Sequence, residues 1–591
     1  MVDWHTMAPK WRGVLCGIGG LLTGLAFLWM GLLAPLDWAA KDTALQWFPD
    51  PRAAESPVEI IGIDQASIER VAELTDFSWP WPRSFMGQLV EVLTRAGAKT
   101  IIFDMLYLEH DVERAEFPGR TSDEDLGRAA KANGRTVFAG VLRDDERETR
   151  KAHSALPDLG EGACIEDPAL GRSRNPSVPV NEISDGAHLI GTVNFIPDED
   201  GYLRRMAPTY RTGKSCVPYL GLAGALSYLT DKGQPVPEVR YEGSRLHVGD
   251  RVVPMDDDGR MLLNWYGPGG PMGSKQGAYR YTPIYDVLIA FQSLESGEAP
   301  HLDLSRFRGK AVLIGSTAPG LMDLKPTPMS EFGPYPGVEI VATALENIVS
   351  ARPLTPLSDT YTALFMAALA FLIGVLTWTK PGIGWSSLFT FGLLTLYWVT
   401  SLVLLSEQRI SMPVAGPVLS GFVAGLLSLG WQYFSEGQDR KRIKELFGNY
   451  VAAPVVKKLL DDPASLQLGG ERREMSVFFS DIAGYTDISE SLTPEALVSQ
   501  LNEYLSEVGK PILQREGYID KYIGDAVMAI FGAPVAQENK ELEAVLAALE
   551  VQEMLAPMQD LWRARSMPPL PTRIGIATGT AVLGTLAPSS A

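Results

Sequence analysis

Two aspartates carry the strongest chemical signal in this sequence. Residues 475–480 read MSVFFS, an apolar strand that ends at Asp481, and Gly484 and Thr486 then lead into an amphipathic helix. A strand, a tight turn and a helix start make a phosphate cradle. The backbone N–H groups of Ala483, Gly484, Tyr485 and Thr486 are expected to face phosphate oxygens at the positive end of that helix. Further along, GYIDKYIGDAVMAIFG (517–532) reads as two strands joined by a tight turn at Gly524-Asp525, which puts a second carboxylate on a turn. Either aspartate alone also fits a turn or a helix cap. If the hairpin lies beside the first strand, the two converge and hold two divalent cations, Mg²⁺ or Mn²⁺, because hard ions take oxygen ligands. Ions held there would lower the pKa of a bound hydroxyl and neutralise phosphate charge.

The elements that position this segment begin in a membrane. Residues 14–36 form an uncharged run long enough to cross a hydrocarbon core of about 30 Å. Lys10 and Arg12 precede it, which places residues 1–13 in the cytoplasm and makes the run an uncleaved anchor. Three more spans are expected at 361–379, 386–405 and 414–433, with Lys380 and the Arg440–Lys444 cluster on the cytoplasmic side and Arg409 a minor exception outside. Gly13, Gly17, Gly20 and Gly24 give two G-x-x-x-G spacings, a pattern that lets two helices approach closely, but the reading favoured over it is the general frequency of glycine in membrane helices. Residues 436–470 read as a signalling linker helix. Its stripe of Ile443, Leu446, Phe447, Tyr450 and Val451 can pair with a second copy or pack on its own catalytic domain.

A length of 591 residues requires several domains. The net charge of −19 argues against nucleic acid as a partner. Cys16 lies in the first span, so one bridge at most, Cys164 to Cys216, is conceivable. The six histidines have no zinc-site spacing.

Between the first two spans, strand-like runs such as VEIIGID (58–64), KTIIFDML (99–106), TVFAGVL (136–142) and AVLIGST (311–317) alternate with helical ones, which predicts an α/β domain with parallel strands over 40–355. The ordered set IDQAS (63–67), WPWPR (79–83), FD (103–104), GTVNFIPDEDG (191–201), IGSTAPGLMDLKPTP (314–328) and PGVE (336–339) resembles the second family of CHASE sensor domains. The resemblance implies an extracytoplasmic sensor, followed by three spans, whose ligand or stimulus is unknown. Asp64, Arg83, Asp104 and Asp323 are read as strand-end and loop structure rather than ligand contacts.

The linked patterns FFSDIAGYT (478–486), DKYIGDAVMAIFG (520–532) and RIGIATG (573–579) are similar to class III adenylyl/guanylyl cyclases, and FGNYVAAPVV with LGGERRE upstream resembles their membrane-bound bacterial members. The expected fold is therefore a multi-domain membrane protein: an α/β sensor, four transmembrane helices, and an α+β ferredoxin-like cyclase domain over 471–591. The resemblance implies Asp481 and Asp525 as catalytic metal ligands, with the Ile482 carbonyl completing the set, and Ala483, Gly484, Tyr485, Thr486 and Gly524 around the substrate. Lys521 matches the purine-reading position. An ammonium only donates, so it suits the acceptor N1 of adenine and opposes the N1–H of guanine. The resemblance thus implies ATP as the substrate and a homodimer as the assembly, at the bacterial inner membrane with the cyclase domain cytoplasmic.

After Gly579 the sequence departs from the family pattern, since the acidic or threonine purine contact and the asparagine and arginine of a following helix are not found before Ala591. The domain is thus expected to be C-terminally incomplete and nearly inactive alone, as losing transition-state charge partners costs several kcal/mol. A receptor with a degenerate cyclase module is the alternative. A cyclic di-nucleotide synthase is disfavoured because 522–525 reads YIGD, and neither a phosphoacceptor helix nor kinase motifs are present.

Overall fold

The computed structural model describes residues 9–49, 56–75, 77–114, 116–143, 155–164, 175–212, 215–231, 233–270, 277–318, 320–321, 323–332, 335–379, 382–447, 471–533 and 536–583. It divides into two compact units, Met1–Leu429 and Gly430–Ala591. Most of the expected linker, 448–470, lies outside the described residues, as does the chain after 583.

Four helices of the described chain are long and apolar enough to cross a membrane, over Lys10–Trp29, Asp359–Leu376, Ile383–Gln408 and Ala415–Ser435. The first apolar run does not continue as one helix to 36. Helix α1 (Pro9–Trp29) stops before Gly31, whose φ of 70° breaks helical geometry, and α2 (Ala34–Trp47) restarts with a proline in its first turn. The glycines of α1 do more than reflect membrane composition. A Cβ on Gly13 would stand 2.3 Å from the Gly374 carbonyl oxygen, and one on Gly20 2.3 Å from that of Ser420. The small residues thus let α1 approach two other spans of the same chain closely, which corrects the expectation above.

The outer domain is built on a seven-stranded sheet. Its strands are β1 (Val58–Ile63), β2 (Thr100–Leu106), β3 (Thr136–Arg143), β4 (Asn175–Ser177), β5 (Leu189–Thr192), β6 (Tyr281–Pro283) and β7 (Ala311–Ser316). Their order is β6-β1-β7-β2-β3-β4, with β5 also on β3, and every pairing is parallel except β3 with β4. β1 is buried at all six positions, as a parallel strand covered on both faces requires. On one face pack α3 (Gln65–Thr75), α4 (Arg83–Arg95), α5 (Gly119–Asn133) and α7 (Ile284–Glu295), through Val71, Leu89, Leu126 and Val287. The other face receives α6 (Leu220–Leu229) and α8 (Gly337–Val349), through Leu222 and Leu345. Cys164 and Cys216 are bridged, with Cα atoms 5.7 Å apart, and Cys16 is a free, buried thiol.

Three of the four polar motif residues of this domain, Asp64, Arg83 and Asp323, have structural partners. Asp64 Oδ1 accepts the Ser67 amide at 2.7 Å and caps α3. Arg83 pairs with Asp123, and Asp323 with Lys325. Burial, with Asp323 adding negative charge nearby, pushes the Asp104 carboxyl up to about 7.

Glu339, in the first turn of α8, is fully enclosed. Its Oε1 accepts the Gly270 amide at 2.7 Å and the Tyr281 hydroxyl, yet burial outweighs both bonds and pushes the carboxyl up to about 8. In the unfolded chain it ionises near 4.5. The folded state therefore binds the extra proton between those values, so the contribution of Glu339 to stability is full at acid pH and falls as pH rises from about 4.5 to 8. Chemical unfolding of the outer domain is expected to show a loss on the order of a few kcal/mol between pH 5 and 8, and Glu339→Gln is expected to flatten that slope. An equal slope in the variant would contradict the assignment.

Candidate active site

The second unit builds its site on a four-stranded antiparallel sheet, β8 (Glu471–Ile482), β9 (Tyr518–Ile523), β10 (Ala526–Phe531) and β11 (Thr572–Leu583), in the order β9-β10-β8-β11. Helices α13 (Pro494–Gln514) and α14 (Lys540–Ala564) cover one face through Tyr504, Val508, Val551 and Trp562, packed on Phe478, Ile519 and Phe531. Alternation along β8 sends Phe478, Ser480 and Ile482 into that core, while Phe479 and Asp481 point to the open face. Phe479 is 41% and Ile523 51% exposed there.

The hairpin predicted at Gly524-Asp525 is present. Gly524 has φ 64°, the left-handed region that a first turn position of the II′ type demands. β10 pairs directly with β8, with Ser480 opposite Val527, so the turn arrives at the end of β8. There Asp525 Oδ2 accepts the Ile482 amide at 3.1 Å. This contact brings the two predicted carboxylates to one corner of the sheet, Asp481 exposed and Asp525 half-buried.

The phosphate cradle differs from the expectation in two respects. The amide of Ala483 donates to the Pro571 carbonyl at 2.7 Å, so that donor is spent on the fold. The helix that follows, α12 (Tyr485–Glu490), has only six residues, so its positive end is weaker than that of a long helix. Gly484, at φ 73°, starts it, and Tyr485 and Thr486 occupy its first turn.

Lys521 reaches the open face through an irregularity. Ile519 pairs with Ala529 and is buried, but the register shifts by one before Lys521, which pairs with Met528. Strict alternation would have turned Lys521 into the core; the bulge at Asp520 returns it to the open side. Lys521, Met528 and Phe479 form one cross-strand row, a single pleat of about 7 Å from Asp481 along β8. Its ammonium lies 3.1 Å from Asp520 Oδ2 and is largely exposed.

Two residues not singled out in the sequence stand beside this corner. Arg573 is the cross-strand partner of Asp481. Tyr504 is buried beneath, and its hydroxyl accepts a bond from Thr572 at 3.2 Å. Burial raises its pKa, Thr572 and Ser480 oppose that shift, and the charges of Asp525 and Asp481 reinforce it. The Arg573 signal was only a cation at a strand start, and no spacing rule would have found Tyr504.

An oxygen-only donor set of two carboxylates and nearby backbone suits Mg²⁺ or Mn²⁺. Among the described residues no cluster of three or more His, Cys, Asp or Glu is gathered, so such an ion would draw its other ligands from backbone, water or substrate oxygens.

Comparison with known proteins agrees with both halves of the chain. The CHASE2 domain model matches residues 18–376, and the adenylate and guanylate cyclase catalytic domain model matches residues 470–591. Adenylate cyclase 1 of Rhizobium meliloti (strain 1021) is 36% identical over 143 residues, covering 24% of this chain and 21% of that protein. The uncharacterized protein Rv1320c of Mycobacterium tuberculosis (strain ATCC 25618 / H37Rv) is 26% identical over 307 residues, 50% of this chain and 47% of the relative. Among solved structures, the adenylyl cyclase CyaB from P. aeruginosa is 39% identical, covering 20% of this chain and 63% of its own, with a TM-score of 0.20. The guanylyl cyclase Cya2 is 35% identical, covering 21% and 63%, with the same TM-score. The chain thus spans less than two-thirds of each of these proteins.

The Ile482 contact makes a prediction independent of any reaction. Asp525→Ala leaves a buried amide without its acceptor and is expected to destabilise the catalytic unit by about 1–3 kcal/mol in chemical denaturation. Asp525→Asn, which retains an acceptor oxygen, is expected to cost much less; equal losses would argue against the bond.

Proposed function

The chain belongs to the CHASE2-domain family and carries a class III adenylate/guanylate cyclase domain, and on that premise we propose that it converts ATP to cyclic AMP and pyrophosphate under the control of an extracytoplasmic signal. The observation that carries this reading is the Ile482–Asp525 bond, which draws Asp525 to the strand end that bears Asp481.

Asp481 and Asp525, with the Ile482 carbonyl, would hold two Mg²⁺ or Mn²⁺ ions. When bound, these ions acidify the ribose 3′-hydroxyl and neutralise the triphosphate. The amides of Gly484, Tyr485 and Thr486 orient the β- and γ-phosphates, and Gly524 keeps the hairpin turn slim beside them. Lys521 donates to adenine N1. A second copy of the chain covers the open sheet face, where Phe479 and Ile523 are exposed and Gly575, Ala577 and Gly579 allow close approach.

The four apolar helices support a multi-pass protein of the bacterial inner membrane. In this topology residues 40–355 face outward to an unidentified ligand or stimulus, the linker 436–470 leaves the last span, and 471–591 work in the cytoplasm.

Purine choice tests the reading. With Mn²⁺ and equal ATP and GTP, whatever small turnover the full chain shows in detergent is expected to yield mainly cyclic AMP. Lys521→Glu replaces a donor with an acceptor and is expected to lower the cyclic AMP to cyclic GMP ratio by roughly tenfold or more, the worth of one such contact. An unchanged ratio would remove Lys521 from purine recognition.

A further inference from the structure

Helix α2 lies between the first span and the outer domain, and both of its polar ends are engaged. Toward its start, Asp37 Oδ1 accepts the amides of Val414 and Ala415, each at 2.7 Å. These open the last membrane helix, α11 (Ala415–Phe447), where the Val414 carbonyl accepts the first intrahelical bond, from Val418. Pro417 has no N–H, so Asp37 satisfies a large share of the donors that this helix start must place. A carboxylate there also meets the positive end of a long helix.

Five residues on, Asp42 is gripped by the outer domain. Arg204 donates to it from Nε at 2.9 Å and from Nη2 at 2.7 Å, and the pair is nearly enclosed. The same guanidinium holds Asp200, while Arg205 holds Asp198, Asp256 and Asp258. Trp38, between the two acids of α2, has Lys41 at 4.7 Å and the Arg204 and Arg205 guanidinium groups at 5.3 and 5.4 Å from its ring. Gln46 adds a bond to the Pro328 carbonyl at 2.7 Å. Three groups on this short helix, Trp38, Asp42 and Gln46, thus face outer-domain partners, and one, Asp37, faces the beginning of α11.

We propose that α2 is the rod by which the outer domain acts on the last membrane helix: the Arg204–Asp42 grip sets the position of α2, and Asp37 conveys it as a cap that is made or withdrawn. A ligand that favours one arrangement of the 198–205 segment then changes the stability of the α11 start by as much as the cap is worth, and by reciprocity a withdrawn cap alters ligand affinity. A second tie, the parallel pairing of Thr355 and Pro356 with Ile410 and Ser411, reaches only the loop before α11 and leaves the helix end to Asp37.

Hydrogen–deuterium exchange on the full chain in lipid nanodiscs tests this without reference to cyclase turnover, so its failure leaves the catalytic reading intact. Asp37→Ala is expected to speed exchange of the Val414 and Ala415 amides roughly fivefold, the size of a lost cap. Asp42→Asn and Arg204→Gln, at the opposite end of the link, are expected to speed the same two amides. Asp258→Asn, 61% exposed and with its side chain joined to the network at Arg205, is expected to leave them unchanged. Combining Asp42→Asn with Asp37→Ala should add nothing further. Unchanged exchange at Val414 and Ala415 in the Asp42 and Arg204 variants, with β1 and β7 still protected, would overturn the proposal. If protection in those strands is lost, Arg204→Lys, which keeps the charge but not the two-pronged grip, decides it by the same amides.

Discussion

The hydrogen bond that the Ile482 amide donates to Asp525 joins a strand end to a turn 43 residues away in sequence, and the catalytic unit is arranged around that meeting. It needs β10 paired with β8 in one register, since a slip by one residue would turn Phe478 outward and bury Phe479. That register is held by the core of α13 and α14 against Phe478, Ile519 and Phe531. It needs Gly524 as well, because a side chain at φ 64° would strain the turn that delivers the carboxylate. Removing Asp525 therefore leaves the Ile482 amide without its partner.

In the first unit the governing constraint is the membrane. A bilayer offers no hydrogen bonds to an exposed backbone, so the apolar stretches become helices and their ends must be satisfied at the boundary. Glycines on α1 allow it to lie against Gly374 on one side and Ser420 on the other, replacing side-chain bulk with backbone contact. Asp37 closes one helix end from a neighbouring element. The outer domain meets its own constraint differently, with a parallel sheet covered on both faces and a disulfide that suits an oxidising compartment.

Much of this could be read from the chain. The run of VEIIGI announces a buried parallel strand because every position is apolar or small except Glu59, and Glu59 is answered by Arg306. The GD turn announces the hairpin, since few residue pairs accept its geometry. Three features were hidden for identifiable reasons. The bulge that returns Lys521 to the open face is a pairing irregularity, invisible to a period of two. The commitment of the Ala483 amide to Pro571 depends on a contact between segments far apart in sequence. The glycines of α1 looked unremarkable because their partners lie on helices that only the fold brings beside them.

In the function proposed for this chain, Asp481 and Asp525 act together as the metal-holding pair of a nucleotide site. The most direct measurement is Mn²⁺ electron paramagnetic resonance on the full chain titrated with a non-cyclisable ATP analogue. Nucleotide-dependent uptake of two Mn²⁺ per catalytic unit is expected, lost when both residues are changed to asparagine while the unit stays folded. Undiminished uptake in that double variant would contradict it.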